Sequence, residues 1–589
     1  MDFEAASATD DVKEENLLLY DHQRKPERAA GCCSRPRACK YLCLIIFGLL
    51  GVLAIVAFLF TVRASTTCGD VIGLKIPGKS SVTVFMGIPY AEAPVGELRW
   101  QPPVPVEESC SKKTTYAVLP ATKCVTQSDD SASLGGLLGG ESEDCLQLTV
   151  WTTHTFGDQK GLPVMVYLHG GGLLGGNAQK QLTHFVETQR VVVVDVNYRL
   201  NILGFLATAE LSATDRRGAV SGNYGLLDAQ LGLRWVQQNI ANFGGDPAQV
   251  TVYGGSSGGT LVFMLLMSPA SQGLFHRAMS NSGSPNITVD LATSERQSAH
   301  IVAEVGCNKS DTSASERAAC LRSIDAQDMV DAMPKCWDPP IFAWPTSADG
   351  LGACGLPVID GVTLPKAVLD TFRDEAPPVM DVPFIVWSNA QEIGTYDNDH
   401  RSPYMGMSAS AFREVVIQNF DSIRNGSGEA VAAMYKAQIE TESLLAYDEI
   451  GTDVGMTCGN IEIARAAATH FSSPVYSVVM TANISSPDPK GVINKAFHRL
   501  DDKFASMQYT SEEEGGRSAE DDAIAVRIRD IMQTFAEQGT VPGWSNVSNG
   551  ASQGGAYTVM EKRVDAEYAV LRKNKATEAG TIEAHSKCA

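Results

Sequence analysis

The stretch Thr251-Val252-Tyr253-Gly254-Gly255-Ser256-Ser257-Gly258-Gly259 constrains this 589-residue chain more than any other. A β-rich run ends in Gly-x-Ser-x-Gly and passes at once into the apolar segment 260–268. The spacing reads as strand, sharp turn, helix. Such a turn forces its central residue into a strained backbone conformation, so its neighbours must be glycine or small. The strain lifts the Ser256 hydroxyl clear of the sheet, beside the start of a helix. Glycine-serine runs often serve as plain linkers, but here both flanks are strongly apolar. Upstream, Val164-Met165-Val166-Tyr167-Leu168 reads as a buried strand that runs into His169-Gly170-Gly171-Gly172. Glycines at a strand end free backbone N–H groups to point at a developing oxyanion. The plainer reading of the same run is a tight turn.

Further residues extend the pattern. They are Gly87-Ile88-Pro89-Tyr90-Ala91 with Leu98-Arg99-Trp100, Glu143-Asp144-Cys145-Leu146, and Asn197-Tyr198-Arg199-Leu200. Gly204-Phe205-Leu206, Gly222-Asn223-Tyr224-Gly225-Leu226-Leu227-Asp228 and Asn242-Phe243-Gly244-Gly245-Asp246-Pro247 follow in order. Together with the two loops, these resemble the type-B carboxylesterases of the cholinesterase-like group, within the α/β-hydrolases. The resemblance runs from about Cys68 to about Trp544. It implies an α/β-hydrolase fold: a large, mostly parallel central sheet flanked by helices, in one domain with helical insertions. No repeat and no long linker interrupts that region, and the polar stretch 510–522 reads as an exposed loop.

In such a fold the catalytic residues follow the chain order Ser, then Asp or Glu, then His. Glu392, in Asn389-Ala390-Gln391-Glu392-Ile393-Gly394, aligns with the acid, although Gln391 and Ile393 depart from the usual Asp-Glu-Gly; Asp397 and Asp399 are the fallback acids. His498, in Ala496-Phe497-His498-Arg499-Leu500-Asp501, aligns with the base. His400 is its main rival, while His276, His300 and His470 read as structural. A serine hydroxyl is a poor nucleophile at neutral pH, so His498 would take its proton during attack. Glu392 would fix the imidazole tautomer and stabilise the imidazolium. The amides of Gly171, Gly172 and Ser257 would hold the oxyanion of an acyl-enzyme route. One departure adjoins the nucleophile: Gly255 stands where the family usually has glutamate.

The expected substrate is a non-choline ester. Cholinesterases hold a quaternary ammonium against a tryptophan face. In the family that tryptophan lies just before Glu-Asp-Cys-Leu, yet residues 124–145 here contain no Trp, Tyr or Phe. At the places aligned with the acyl-pocket aromatics the chain has Leu351 and Ala353, which suggests room for bulkier acyl groups.

The N-terminal region implies a membrane. Residues 41–62 carry no charge and are long enough to span a bilayer. Arg24, Lys25, Arg28, Arg35, Arg37 and Lys40 precede them. The positive-inside rule then puts a flexible tail, 1–40, in the cytoplasm and 63–589 in the lumen or outside the cell, a single-pass type II signal-anchor; the rival, a cleaved signal peptide, would have an unusually long basic region and apolar core. Cys32, Cys33, Cys39 and Cys43 beside this run are either palmitoylation sites or reduced thiols. Five sequons, at Asn286, Asn308, Asn425, Asn483 and Asn546, fall after the span. Ten of the fourteen cysteines do too, as suits an oxidising compartment. The resemblance implies the pairs Cys124–Cys145 and Cys307–Cys320, and Cys458 with Cys588. Elimination suggests Cys68 with Cys110 and Cys336 with Cys354.

The net charge of −21 disfavours nucleic acid as a partner. No His and Cys cluster has zinc spacing and no glycine loop has a phosphate-binding lysine, so neither metal nor cofactor is expected. Two functions stay open: an ester hydrolase, and a cell-surface adhesion protein of the same fold. Fold alone does not separate them; the survival of Ser256, Glu392, His498 and the glycine loop favours the hydrolase. A protein partner is compatible with the sequence but not indicated by it.

Overall fold

The computed structural model describes residues 60–573 except 79–81, 128–139, 154–160, 288, 335–356, 375–379, 394–403, 482–495, 507–518, 545–546, 548–557 and 562–569. Thirteen described strands form one sheet. They are β1 (Thr61–Thr66), β2 (Gly69–Lys75), β3 (Thr83–Pro89), β4 (Thr115–Tyr116), β5 (Gln147–Thr152), β6 (Leu162–Leu168) and β7 (Val192–Val196). They continue as β8 (Gly245–Gly255), β9 (Arg277–Asn281), β10 (Phe384–Asn389), β11 (Val475–Met480), β12 (Thr558–Glu561) and β13 (Val570–Lys573). The spatial order is β1-β2-β3-β5-β7-β6-β8-β9-β10-β11-β12-β13, with β4 on β2. Pairing is parallel from β7 through β12 and mostly antiparallel at the two edges. The sheet is therefore mixed, with the expected parallel centre.

Central strands buried on both faces read as continuous apolar runs, and β6 and β7 are buried at every position. Alternation sends their side chains into two separate cores. Val164, Val166, Leu168, Val250, Val252, Phe384 and Val386 join one core with residues of α1 (Tyr224–Asn239) and α2 (Ser257–Met267). Met165, Tyr167, Tyr253, Ile385 and Trp387 join the other, with α7 (Ala519–Gln538). Helix α2 is buried at every position; a helix apolar on all sides belongs inside the domain, and this one clamps the serine turn from behind. A third core lies in a helical insertion that includes α3 (Ala409–Ile423) and α4 (Ser443–Thr452). A π-helical turn, Asp453–Thr457, joins α4 to α5 (Cys458–His470). The last helix near the site is the short α6 (Leu500–Ser506).

The shared sequence motifs lock the loops behind the sheet. Arg199 grips Asp228 of α1 through Nε and Nη2, each at 2.7 Å. Asn197 Nδ2 donates to Thr122 O at 2.6 Å and Cys145 O at 2.9 Å. Tyr90 OH donates to Asn197 O at 2.7 Å, and Trp100 Nε1 to Ile202 O at 2.8 Å. Arg99 holds Glu143 through two bonds, at 2.6 and 2.5 Å. Disulfides join Cys68–Cys110, Cys124–Cys145 and Cys307–Cys320. Cys336, Cys354 and Cys588 lie outside the described residues, while Cys458 is disulfide-bonded.

Two boundaries differ from expectation. The uncharged run reaches residue 62, but Thr61 and Val62 already belong to β1, paired with Leu74 and Gly73 of β2. Val62 packs on the first core, so the folded unit begins before residue 63. Residues 41–59 lie outside the described residues, as do all four cysteines at 32, 33, 39 and 43. Among the described residues, no helix is long and apolar enough to cross a membrane. The polar stretch 510–522 is no loop at its end: residues 519–522 open α7, and Asp521 is buried. Of the sequons, Asn308 and Asn425 are exposed, and Asn483 and Asn546 lie outside the described residues. Asn286 is half-buried instead, its Nδ2 donating to Gly455 O at 3.3 Å.

The Arg199–Asp228 pair is buried, at 4% and 0% side-chain exposure. Removing one member strands a charge in the interior. Asp228→Ala should lose about 3–5 kcal/mol of stability in a denaturant titration. Glu429→Ala, which breaks the exposed Arg413–Glu429 pair, should lose no more than about 1 kcal/mol.

Candidate active site

Ser256 sits between the end of β8 and the start of α2, with φ 60° and ψ −128°. A positive φ in a non-glycine residue is a strained state that the surrounding packing must enforce. Its N–H donates to Asn281 O at the end of β9, at 2.8 Å. The glycine loop presses against this turn. A Cβ on Gly170 would lie 2.6 Å from Gly255 O and 2.9 Å from Ser256 Cβ, so only glycine fits there. Gly171 and Gly172 follow with φ of 129° and 67°. Neither their amides nor that of Ser257 donate a hydrogen bond among the described residues. His169 underpins the loop. Its ring stacks on Tyr198, with centroids 4.3 Å apart, and Tyr198 OH donates to His169 O at 2.5 Å. Burial pushes the His169 imidazole down to about 4, so it is neutral at physiological pH.

His498 Nε2 lies 2.8 Å from Ser256 Oγ, and His498 Nδ1 lies 2.6 Å from Glu392 Oε2. These are hydrogen-bond distances along one continuous chain of three side chains. All three are buried, at 6%, 2% and 0% exposure for Ser256, His498 and Glu392. The other carboxylate oxygen is held too, since Asn389 N donates to Glu392 Oε1 at 2.6 Å, and the backbone is fixed by Glu392 N donating to Thr452 Oγ1 at 3.0 Å. The rival residues Asp397, Asp399 and His400 lie outside the described residues, as do Leu351 and Ala353. His300 and His470 sit on helices and His276 just before β9.

The departures at 391 and 393 have structural partners. Gln391 N donates to Ala496 O at 2.9 Å, tying the acid loop to the histidine loop. Gln391 Nε2 donates to Asp448 Oδ2 of α4 at 3.3 Å. Ile393 is a member of the third core, beside Phe412 and Tyr447. Both residues thus fasten the acid loop to the helical insertion.

A second buried carboxylate, Asp501, to which the sequence pattern assigns no role, lies beside the Ser256–His498–Glu392 line. Asp501 Oδ1 accepts from Asn389 Nδ2 at 2.9 Å, and Asp501 Oδ2 accepts from Asn281 Nδ2. It links the strand end that holds Ser256 N to the strand end that holds Glu392. Burial pushes the Asp501 carboxyl up to about 6, against the pull of the two amide donors. Nothing in a single sequence marks this link, because its three residues lie far apart along the chain. Next to it, Asp502 pairs with Lys180 and accepts from Arg499 Nη2 at 2.5 Å. Burial alone would raise Asp502, but these two cations hold it well below the usual carboxylate range. Among the described residues, no group of three or more His, Cys, Asp or Glu side chains is arranged to hold a metal.

A hydroxyl, an imidazole and a carboxylate in line, with a row of amides beside the hydroxyl, can perform acyl transfer. Comparison with known proteins agrees with that chemistry. The chain is 34% identical to liver carboxylesterase B-1 of Rattus norvegicus over 362 residues, 57% of this chain and 62% of the relative. It is 37% identical to carboxylesterase 1F of Mus musculus over 349 residues, 56% of this chain and 58% of the relative. The match therefore spans about three fifths of the length of these mammalian relatives. Fumonisin B1 esterase of Sphingopyxis macrogoltabida is 31% identical over 490 residues, 81% of this chain and 83% of the relative. The match to the family as a whole runs past Trp544, where the motif resemblance fades, and reaches residue 585. Matching over residues 61–585, the chain belongs to the carboxylesterase family.

Proposed function

We propose that this protein is a serine carboxylic ester hydrolase that works through an acyl-enzyme. The observation that carries this reading is the hydrogen-bonded line Ser256–His498–Glu392, with 2.8 and 2.6 Å separations. Ser256 Oγ attacks the ester carbonyl while His498 Nε2 takes its proton. Glu392 holds the imidazole by Nδ1 and stabilises the imidazolium. The amides of Gly171, Gly172 and Ser257 receive the oxyanion. His498 then returns the proton to the departing alcohol, and water enters to release the acid. The relatives named carboxylesterases and esterases support this class of reaction. A pure adhesion role has no observation of its own in support.

The substrate is a non-choline ester on this reading, because residues 124–145 offer no aromatic face for a quaternary ammonium. The part of the uncharged run 41–62 that precedes β1 anchors the protein, with the hydrolase on the far side of the membrane from the basic tail. Exposed Asn308 and Asn425 would carry glycans there.

Ser256→Ala should abolish labelling by a fluorophosphonate probe, and Ser256→Ala and His498→Ala should each lower kcat by about 10⁶-fold. Glu392→Gln should cost about 10⁴-fold. Labelling that survives in Ser256→Ala would overturn the assignment.

The 589-residue chain should stay with membranes through an alkaline carbonate wash, whereas residues 61–589 behind a secretion signal should appear in the medium. Release of the 589-residue chain by the wash would exclude the anchor.

Asp501 generates a pH dependence. Its folded-state value, about 6, lies above the ordinary value of about 3.9. Its contribution to stability is thus fully present below about pH 4 and lost as pH rises through about 6, at a cost of about 3 kcal/mol at most. Activity runs the other way, because the ionised form accepts from both asparagines. Below pH 6, log(kcat/KM) should fall with a slope above one in the natural protein. In Asp501→Asn the slope should be that of a single proton.

A further inference from the structure

The residue before the nucleophile is Gly255, where the family pattern carries glutamate. Other groups fill the space its side chain leaves. A Cβ at 255 would stand 3.1 Å from Arg499 Nε and 3.4 Å from Asp502 Oδ2. Arg499 directly follows His498 and holds φ at 63°, uncommon for a long side chain. Across the serine turn, a Cβ at 170 would stand 3.4 Å from Arg499 Nη1 and 2.9 Å from Ser256 Cβ. The guanidinium therefore lies against both the glycine loop and the residue that precedes the nucleophile. Its side chain is 26% exposed, whereas that of Asp502 is only 3% exposed.

Arg499 and Lys180 meet on one carboxylate. Arg499 Nη2 donates to Asp502 Oδ2 at 2.5 Å and to Tyr167 OH at 2.9 Å. Lys180 pairs with the other oxygen of Asp502, and its Nζ lies 4.0 Å from the centre of the Tyr167 ring. Two basic side chains thus share Asp502. Asp195 Oδ2 accepts from Lys180 N at 3.0 Å, but burial pushes that carboxyl up to about 7, so it carries only part of a charge at neutral pH. Where the family pattern sets a carboxylate beside the base, this chain sets a guanidinium.

The geometry points to Arg499 as a specificity-determining residue: the preferred ester carries a carboxylate, on its acyl or its alcohol part, that pairs with the Arg499 guanidinium while Ser256 attacks the ester carbonyl. Guanidinium and carboxylate match in shape and form short, charge-assisted hydrogen bonds. A cationic ester would meet like charge in the same place. This rests on the hydrolase reading above and names its substrate class.

The test compares kcat/KM for pairs of esters that differ by a carboxylate in place of a methyl group, measured by pH-stat on the natural protein. 1-Naphthyl hemiadipate against 1-naphthyl hexanoate places the carboxylate on the acyl side. 4-Acetoxybenzoate against 4-tolyl acetate places it on the alcohol side. The expected result is a preference of about tenfold or more for the anionic member of at least one pair, the worth of one charge-assisted hydrogen bond. That ratio should fall by about the same factor in Arg499→Gln. It should fall also in Gly255→Glu, whose new carboxylate would meet the guanidinium in place of the substrate's. The variants are judged by the ratio, so a general loss of rate does not obscure the result. Ser256-dependent hydrolysis with no anionic preference in either pair would overturn the role of Arg499 and leave the hydrolase reading standing. No turnover of any of the four esters, together with no fluorophosphonate labelling, would overturn both.

Discussion

The Glu392 carboxylate has no exposure to solvent, and the rest of the site is arranged around that fact. A buried carboxylate is tolerated only when hydrogen bonds replace its water. Asn389 N and His498 Nδ1 supply two of them. Each donor comes from a different place in the chain. The loop after β10 must therefore fold back on itself, and the loop before α6 must reach across to it. The carboxylate specifies where the imidazole stands, and the imidazole is in turn aligned on Ser256 Oγ. The parallel centre of the sheet makes this practical, since β6, β8, β9, β10 and β11 all end on the same edge.

Much of this could be read in the sequence because two demands of the chemistry are local. The serine turn needs small neighbours, and the glycine loop needs absent side chains, so both leave short signatures. The framework motifs are legible for a similar reason. Tyr90, Trp100, Asn197, Arg199 and Asp228 each satisfy a buried polar group that few substitutes could satisfy. The start of β1 was not legible: Thr61 and Val62 continue an uncharged run, and only their pairing with β2 assigns them to the sheet. Residues 519–522 read as polar loop because the buried side of that first helical turn includes Asp521, a charged residue.

The unusual residues around the acid loop show how a family pattern changes without losing its geometry. Gln391 and Ile393 gain contacts with the helical insertion that the family's usual residues would not make. The position of the acid is thereby coupled to the packing of α3 and α4. At Gly255 the change runs the other way: a side chain is lost and Arg499 and Asp502 occupy its place. The first change keeps the line of hydrogen bonds in register, and the second alters the charge beside it.

Asp501 and Asp502 are neighbours, yet they reach opposite sides of the site. One bonds to Asn281, 220 residues earlier, and the other to Lys180, 322 residues earlier. Contacts of such separation close late in folding, after the loop entropy between them has been overcome. The consequence is temporal. As the chain emerges from the ribosome, the serine turn and glycine loop are made first, and the imidazole arrives 242 residues after the hydroxyl it must meet. Until that last segment docks, Ser256 is an ordinary alcohol, and the nascent chain carries no activated nucleophile through most of its own synthesis.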